Sequence, residues 1–253
     1  MGKVLLEAPV YTLEAALNAE KYGVDRLELC ADFAEGGTTP SAGMLTVIKR
    51  KIRIPVFVMI RPRGGDFVYL DEELEAMKQD IRILADCGAD GFVFGVLSDK
   101  GKVNEAACKV LVESADGRPC TFHRAFDLLT EMEEALETII GCGFQRLLTS
   151  GGKNSVGEGI DNVLKIMEKG GDRITVMPGG GTKATHLPVL FQSKYLKEIH
   201  ASCKTYRDSK SIPLNAHLLL SLLPENEGKI LTIDRDKVRQ IKAILSDLEK
   251  EAR

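Results

Sequence analysis

A single-domain TIM (β/α)8 barrel is the α/β fold this sequence predicts, on three observations. A short phrase recurs along the chain: a helix end, a glycine, an Asp or Gln, then an apolar strand. It stands at residues 22–29, 87–94 and 142–148, and more loosely at 170–176. Glycine just past a helix supplies the left-handed closing residue, and a short loop then feeds a buried strand, so the repetition describes parallel strands joined by helices. Second, eight such strands can be placed, near residues 3–8, 25–30, 54–60, 91–97, 120–126, 146–150, 174–179 and 197–202. Third, a length of 253 residues suits one such barrel, so 1–253 is taken as one domain. A doubly wound open sheet is the alternative, but the early glycine fingerprint it would favour is missing.

Helices follow most strands. The first spans about 12–22, with Thr12 as its cap, and the next 41–51. The segment 71–86 carries Leu74, Met77, Ile81 and Leu84 at helical spacing after Asp71. Thr130 with Glu133, and Ser155 with Glu158, each fit a capping box. The terminal helix, 234–250, shows Val238, Ile241, Leu245 and Leu248 on one face. Residues 203–229 break the pattern. They are largely polar, with an apolar patch at 218–223, and are expected to be irregular, as a surface excursion or a lid.

Composition excludes several function classes. The 44% hydrophobic and 28% charged residues are ordinary for a soluble globular protein. A net charge of −3, with both signs interspersed, gives no nucleic-acid footprint and no polybasic membrane patch. The first residues lack the apolar run of a signal peptide, and no stretch suits a bilayer span, so the cytoplasm is the expected compartment. Cys30, Cys87, Cys108, Cys120, Cys142 and Cys203 are dispersed, without zinc-ligand spacing. They read mostly as small buried hydrophobes, not disulfides.

The stretch 120–127 departs from generic core, because its strand runs into His123, Arg124 and Asp127. Burying a polar group without a partner costs roughly 2–7 kcal/mol, so these groups are expected to face a cavity. In this barrel type, function collects at the C-terminal strand ends. Alternation along each strand places Glu28 with Cys30, Met59 with Arg61, Thr121 with His123, and His200 with Ser202 on barrel-facing positions. The candidate catalytic residues are therefore Glu7, Glu28, Arg61, His123 and His200; a satisfied structural ion network is the alternative. Either histidine titrates near neutral pH, and Glu7 or Glu28 would partner it in acid–base chemistry. Gly151 and Gly152, with Gly179, Gly180 and Gly181, form glycine loops where an anion would meet backbone N–H groups. Arg61 and Arg63 would grip it bidentately. Plain tight turns are the alternative for these loops. No nucleophile elbow, His-Glu-x-x-His or Walker motif occurs, so the reaction class stays open.

The same strand ends carry a family resemblance. The motif Glu28-Leu-Cys30 is followed by Val58-Met-Ile-Arg-Pro-Arg-Gly-Gly-Asp-Phe-Val-Tyr69 and Thr121-Phe-His-Arg-Ala-Phe-Asp127. Leu148-Thr-Ser-Gly-Gly152 and Val176-Met-Pro-Gly-Gly-Gly181 complete the set. These stretches resemble the CutC family, called copper homeostasis proteins, over about residues 3–202; the last fifty match only loosely. The resemblance implies a cytoplasmic TIM barrel, a homo-oligomer (dimer or tetramer), a role in copper homeostasis, and Cu(I) at Cys30. Cu(I) prefers thiolates and thioethers. Cys203, the nearest candidate partner, has the opposite parity to His200 and Ser202, and Met59 and Met177 are the candidate thioethers. Cu(I) is the one cofactor expected. The alternative function is an enzyme acting on a small anionic or sugar-like metabolite by acid–base chemistry at the mouth; a binding or sensing module without chemistry is a third class. Either way the expected partner is a small-molecule ligand, with no nucleic acid and no membrane.

Overall fold

The computed structural model describes residues 3–211 and 226–252. Its parallel strands are β1 (Leu5–Val10), β2 (Arg26–Leu29), β3 (Val56–Met59), β4 (Gly91–Phe94), β5 (Cys120–Phe122), β6 (Arg146–Thr149), β7 (Thr175–Pro178) and β8 (Glu198–His200). Between them run α1 (Leu13–Tyr22), α2 (Ala42–Lys49), α3 (Asp71–Asp86), α4 (Glu105–Ser114), α5 (Met132–Gly141), α6 (Val156–Gly170) and the short α7 (Leu187–Leu190). Ladders run in the order β7-β6-β5-β4-β3-β2-β1-β8. β7 and β8 bring the ring together without a ladder: a Cβ built at Gly179 would sit 3.0 Å from His200 Cβ. The chain is a TIM barrel, as its βα repetition predicts.

Two layers divide the side chains. Outward-facing Leu6, Leu27, Val58, Phe92, Phe122 and Ile199 join the helices in one extended apolar core. Facing inward, the apolar patch is small: Cys30, Phe57, Met59 and Val93, with Tyr11 against it. Most of the other interior groups are charged, with Leu148, Met177 and Thr121 interspersed, where branched aliphatics normally fill such a barrel.

Local signals explain most helix starts. Thr12 accepts the Ala15 N–H at 3.1 Å and Ser41 the Met44 N–H at 3.2 Å, each quieting an orphan donor. Ser155 accepts the Glu158 N–H at 3.4 Å and donates to Glu158 Oε1 at 3.0 Å. The Thr130–Glu133 box does not form, because α5 starts one residue later, behind Glu131, with no side-chain cap.

Two further expectations are corrected. β5 ends at Phe122, four residues short of the strand expected over 120–126. The His123 ring accepts the Ala125 N–H and the Phe126 N–H bonds the His123 carbonyl, turning Arg124–Leu128 into a 3-10 helix. Nor is the segment 203–229 irregular at its ends. β9 (Lys204–Asp208) and β10 (Lys229–Ile233) pair antiparallel, from Lys204 against Ile233 to Asp208 against Lys229. Thr205, Tyr206, Ile230 and Thr232 favour such a ribbon. It is tied to α1 by Thr12 Oγ1, which donates to the Leu231 carbonyl, and by the Arg207–Glu14 ion pair. The apolar patch at 218–223, with its lid question, lies outside the described residues. α8 (Arg235–Glu251) begins at Asp234, whose carboxylate accepts the N–H groups of Asp236 and Lys237. Among the described residues, no helix is long and apolar enough to cross a membrane.

Candidate active site at the barrel mouth

Strand register builds the site from below. Glu7 on β1 lies opposite Arg26 on β2 and His200 on β8. Arg26 Nε donates to Glu7 Oε2 at 2.5 Å, and its Nη2 donates to Glu198 Oε2. Arg146 Nε reaches both oxygens of Glu198 at 3.1 Å. Both guanidinium groups also face the Phe57 ring, at 4.5 and 5.0 Å. A ladder of alternating charge thus climbs the interior from Arg146 through Glu198, Arg26 and Glu7 to His200. Its members share barrel-facing parity with Glu28 and His200, so alternation applied to every strand would have found Arg26, Arg146 and Glu198 from sequence.

At the top of the ladder, Glu7 Oε1 lies 2.8 Å from His200 Nδ1, and His200 Nε2 lies 3.9 Å from Glu28 Oε2. Two buried carboxyls flanking one imidazole are driven apart. Burial works to raise Glu7, but the Arg26 charge and the His200 hydrogen bond outweigh it and hold Glu7 at about 2. For Glu28, burial prevails, with Glu7 adding to it against the pull of His200, and the carboxyl rises to about 7. Burial works to lower His200, yet the two glutamates raise it on balance. The Cys30 Sγ–H donates to Glu28 Oε2 at 3.6 Å; burial first and Glu28 second push this thiol well above its usual range. Tyr11, which sequence reasoning passed over, packs beside Cys30 and is raised too, by burial and then by Cys30. Glu7, Glu28 and His200 each offer an atom to one point, with these atoms within 4.8 Å of one another.

Arg61 and His123 meet across Phe67. The Arg61 guanidinium lies 4.8 Å from the Phe67 ring centre, and the His123 ring 4.7 Å from it on edge. Arg61 does not pair with Glu28. Its Nη1 donates to the carbonyls of Glu35 and Gly37, and its Nη2 to that of Gly65. His123 fits only because Gly95 faces it, where a Cβ would come within 2.7 Å of Nδ1. Since Nδ1 accepts the Ala125 N–H at 3.3 Å, the ring proton sits on Nε2. Burial first and the Arg61 charge second lower the imidazole to about 3. His123 is therefore a neutral N–H donor, not the near-neutral acid–base group expected from sequence.

The glycine loops differ from expectation as well. The N–H groups of Gly151, Gly152 and Gly179 are engaged by Thr149 Oγ1, Asp127 Oδ1 and the Thr149 carbonyl. They have no hydrogen left for an anion. Asp127 organises this loop, accepting also from Thr149 Oγ1 and from the backbone and hydroxyl of Ser150. Arg63 stands apart from the mouth, bound to Glu73 at 2.6 Å and Asp66 at 2.9 Å. In its place Arg124 reaches the rim, braced by Asp127 and Ser150. Gly180 and Gly181 do line the mouth, with Glu28, Arg61, His123 and His200, around a cavity of about 320 Å³. That volume suits a small metabolite. Cys30 sits behind this wall, under Gly37.

The fold and site together define a TIM barrel with a charged interior and a polar, titratable mouth at the C-terminal strand ends. Solved structures of low identity share this fold: an aldolase matches with a TM-score of 0.61 at 14% identity, covering 79% of this chain and 90% of that one. The chain belongs to the CutC family, whose family model matches residues 4–205. The copper homeostasis protein cutC homolog of Homo sapiens is 43% identical over 250 residues, 96% of this chain and 90% of the human one. A family protein CutC of Xylella fastidiosa is 38% identical over 241 residues, 95% of this chain and 88% of its own. The crystal structure of the CutC protein of Streptococcus agalactiae superposes with a TM-score of 0.73 at 33% identity, covering 79% of this chain and 98% of that one.

Proposed function

We propose that the mouth binds a small polar metabolite and moves a proton on it, with Glu28 as the acid–base group. One observation carries this reading: Glu28 Oε1, Arg61 Nε and His123 Nε2 are buried without a hydrogen-bond partner, and all three residues line the one cavity. An unsatisfied buried polar group costs roughly 1–3 kcal/mol. Three of them around one cavity fit a ligand that supplies the partners. Carboxyls pushed apart in pKa mark acid–base assignments. Glu7 stays ionised and steadies His200, while Glu28 is poised to take or give a proton near neutral pH. Arg61 and the neutral His123 donate to ligand oxygens, which favours an anionic or polyhydroxylated compound. Six free cysteines support a reducing, cytoplasmic setting. Metabolites that co-purify with the protein test the reading. A compound enriched on the wild type and lost from His123→Ala is expected; identical profiles for the two would defeat it.

A second reading extends the relatives' named role in copper homeostasis to this chain, and it rests on Cys30. A Cβ built at Gly37 would lie 3.3 Å from Cys30 Sγ and 3.7 Å from Met59 Cε, so both sulfur side chains border the space glycine leaves. Cu(I) accepts such soft ligands. The fit is partial, one thiol with one thioether, because Cys203 opens instead on the neighbouring cleft. Binding displaces the tightly held thiol proton, so affinity should rise with pH. Anaerobic Cu(I) titration decides the matter. Cys30→Ser is expected to weaken binding by about tenfold or more, and unchanged affinity would end this reading.

A further inference from the structure

Beside the mouth lies a second cleft of about 400 Å³, between the loop after β7, the start of β9 and the first half of α8. It shares Gly181, Ser202 and Lys204 with the mouth, so the two lie side by side with these residues as their common border. Among the described residues, the charged groups lining the cleft are Lys183, Lys204 and Lys237, with no carboxylate beside them. None of the three lysines forms an ion pair with a described residue. Lys204 Nζ rests 4.3 Å from the Phe33 ring centre, and Lys237 Nζ donates one hydrogen to the Lys204 carbonyl. An ammonium has three donors, so each keeps hydrogens for a ligand.

Charge across the mouth and the cleft is lopsided. Among the described residues, Arg61, the three lysines and Arg124, itself paired with Asp127, line them against one carboxyl, Glu28. The chain as a whole carries −3. Positive charge gathered in a concave site on an acidic protein selects and steers an anion. The kind of donor narrows the choice. A planar carboxylate is best held by an arginine fork, and no arginine among the described residues lines the cleft. Lysines are compact point charges on flexible stems, and the hydroxyls of Thr185 and Ser202 add donors from other directions. That set matches the tetrahedral oxygens of a phosphate group.

We propose that this cleft holds the phosphate group of the ligand whose other end reaches Glu28, so that the ligand is a phosphate monoester of a small polar molecule. The inference rests on the reading of the mouth as a metabolite site. No bond to phosphorus forms or breaks; the phosphate is a handle that positions the reacting end.

Calorimetric titration of the purified chain with inorganic phosphate tests it, at low ionic strength against chloride of matched ionic strength. Saturable binding is expected in the wild type and in Glu28→Gln, which leaves the cleft untouched. Lys183→Ala with Lys237→Ala, both exposed positions, should weaken phosphate binding at least tenfold while the melting curve stays cooperative. No saturable phosphate binding beyond chloride, or binding that survives the double substitution, overturns the proposal. Failure of the mouth reading looks different: phosphate still binds the cleft, but wild type and His123→Ala co-purify the same compounds.

Discussion

Arg26→Met is expected to lower the stability of the folded chain by about 3–5 kcal/mol, the range for breaking a buried ion pair from one side. Arg26 is 2% exposed and stands between Glu7 and Glu198, both buried. Methionine fills much of the volume and removes the charge. Glu7 then keeps only His200 as a cationic partner, and Glu198 only Arg146. Each carboxylate loses a charge-assisted hydrogen bond, Glu7 where water does not reach and Glu198 where it reaches little. Equilibrium urea unfolding measures the cost. A loss under about 1 kcal/mol would mean the ladder is easily solvated and does not organise the interior. Such a ladder need not add net stability over a well-packed apolar core, so the number reports the cost of breaking it, not its worth.

Glu28→Gln should have the largest functional effect, and its sign on stability depends on pH. Glutamine cannot exchange a proton, so proton transfer on the metabolite found at the mouth, followed by deuterium exchange from solvent, should fall about 10²–10⁴-fold. Stability moves the other way. Burial, with Glu7 in support, raises the folded carboxyl from its ordinary 4.5 to about 7. Between those values the folded state holds a proton that the unfolded chain has released. The stabilisation is thus fully present below pH 4.5 and fades as pH rises through 7, by about 1.4 kcal/mol for each tenfold fall in proton concentration across that window. Glutamine mimics the protonated form and escapes this loss. Melting temperatures of Glu28→Gln and wild type should therefore diverge in favour of the variant between pH 4.5 and 7. A constant difference across that window would show that Glu28 is ionised like an exposed carboxylate.

Much of this site is legible in the sequence. The glycine-closed βα phrase predicts the barrel, and alternation puts Glu7, Glu28 and His200 together. What alternation does not supply is chemistry that depends on third parties. Arg61 has the makings of a bidentate anion grip, but three backbone carbonyls from the loops after β2 and β3 claim its two terminal nitrogens and leave Nε for a ligand. His123 has the makings of a proton carrier, but one backbone N–H fixes its tautomer and burial holds it neutral. Gly151, Gly152 and Gly179 lose their N–H groups to Asp127 and Thr149, pairings set by a loop whose shape no residue pattern announces. Arg124 reaches the rim because β5 stops early and the chain turns there, which strand propensity alone does not foretell. The lysine cleft joins residues 183, 204 and 237, which only the folded barrel brings together.

The missing ladder between β7 and β8 gives the barrel the mechanics of a split ring. Elsewhere around the circumference, widening the wall means breaking backbone hydrogen bonds between paired strands. At this one gap only side-chain packing resists, and β7 ends there in Pro178, which has no N–H to offer. The seam runs up past Gly179 and His200 to Gly181 and Ser202, which border both the mouth and the lysine cleft. Elastic strain from a molecule bridging the two would therefore concentrate at the seam, and the strands carrying Glu7 and Glu28 would keep their registry while the mouth changes its width.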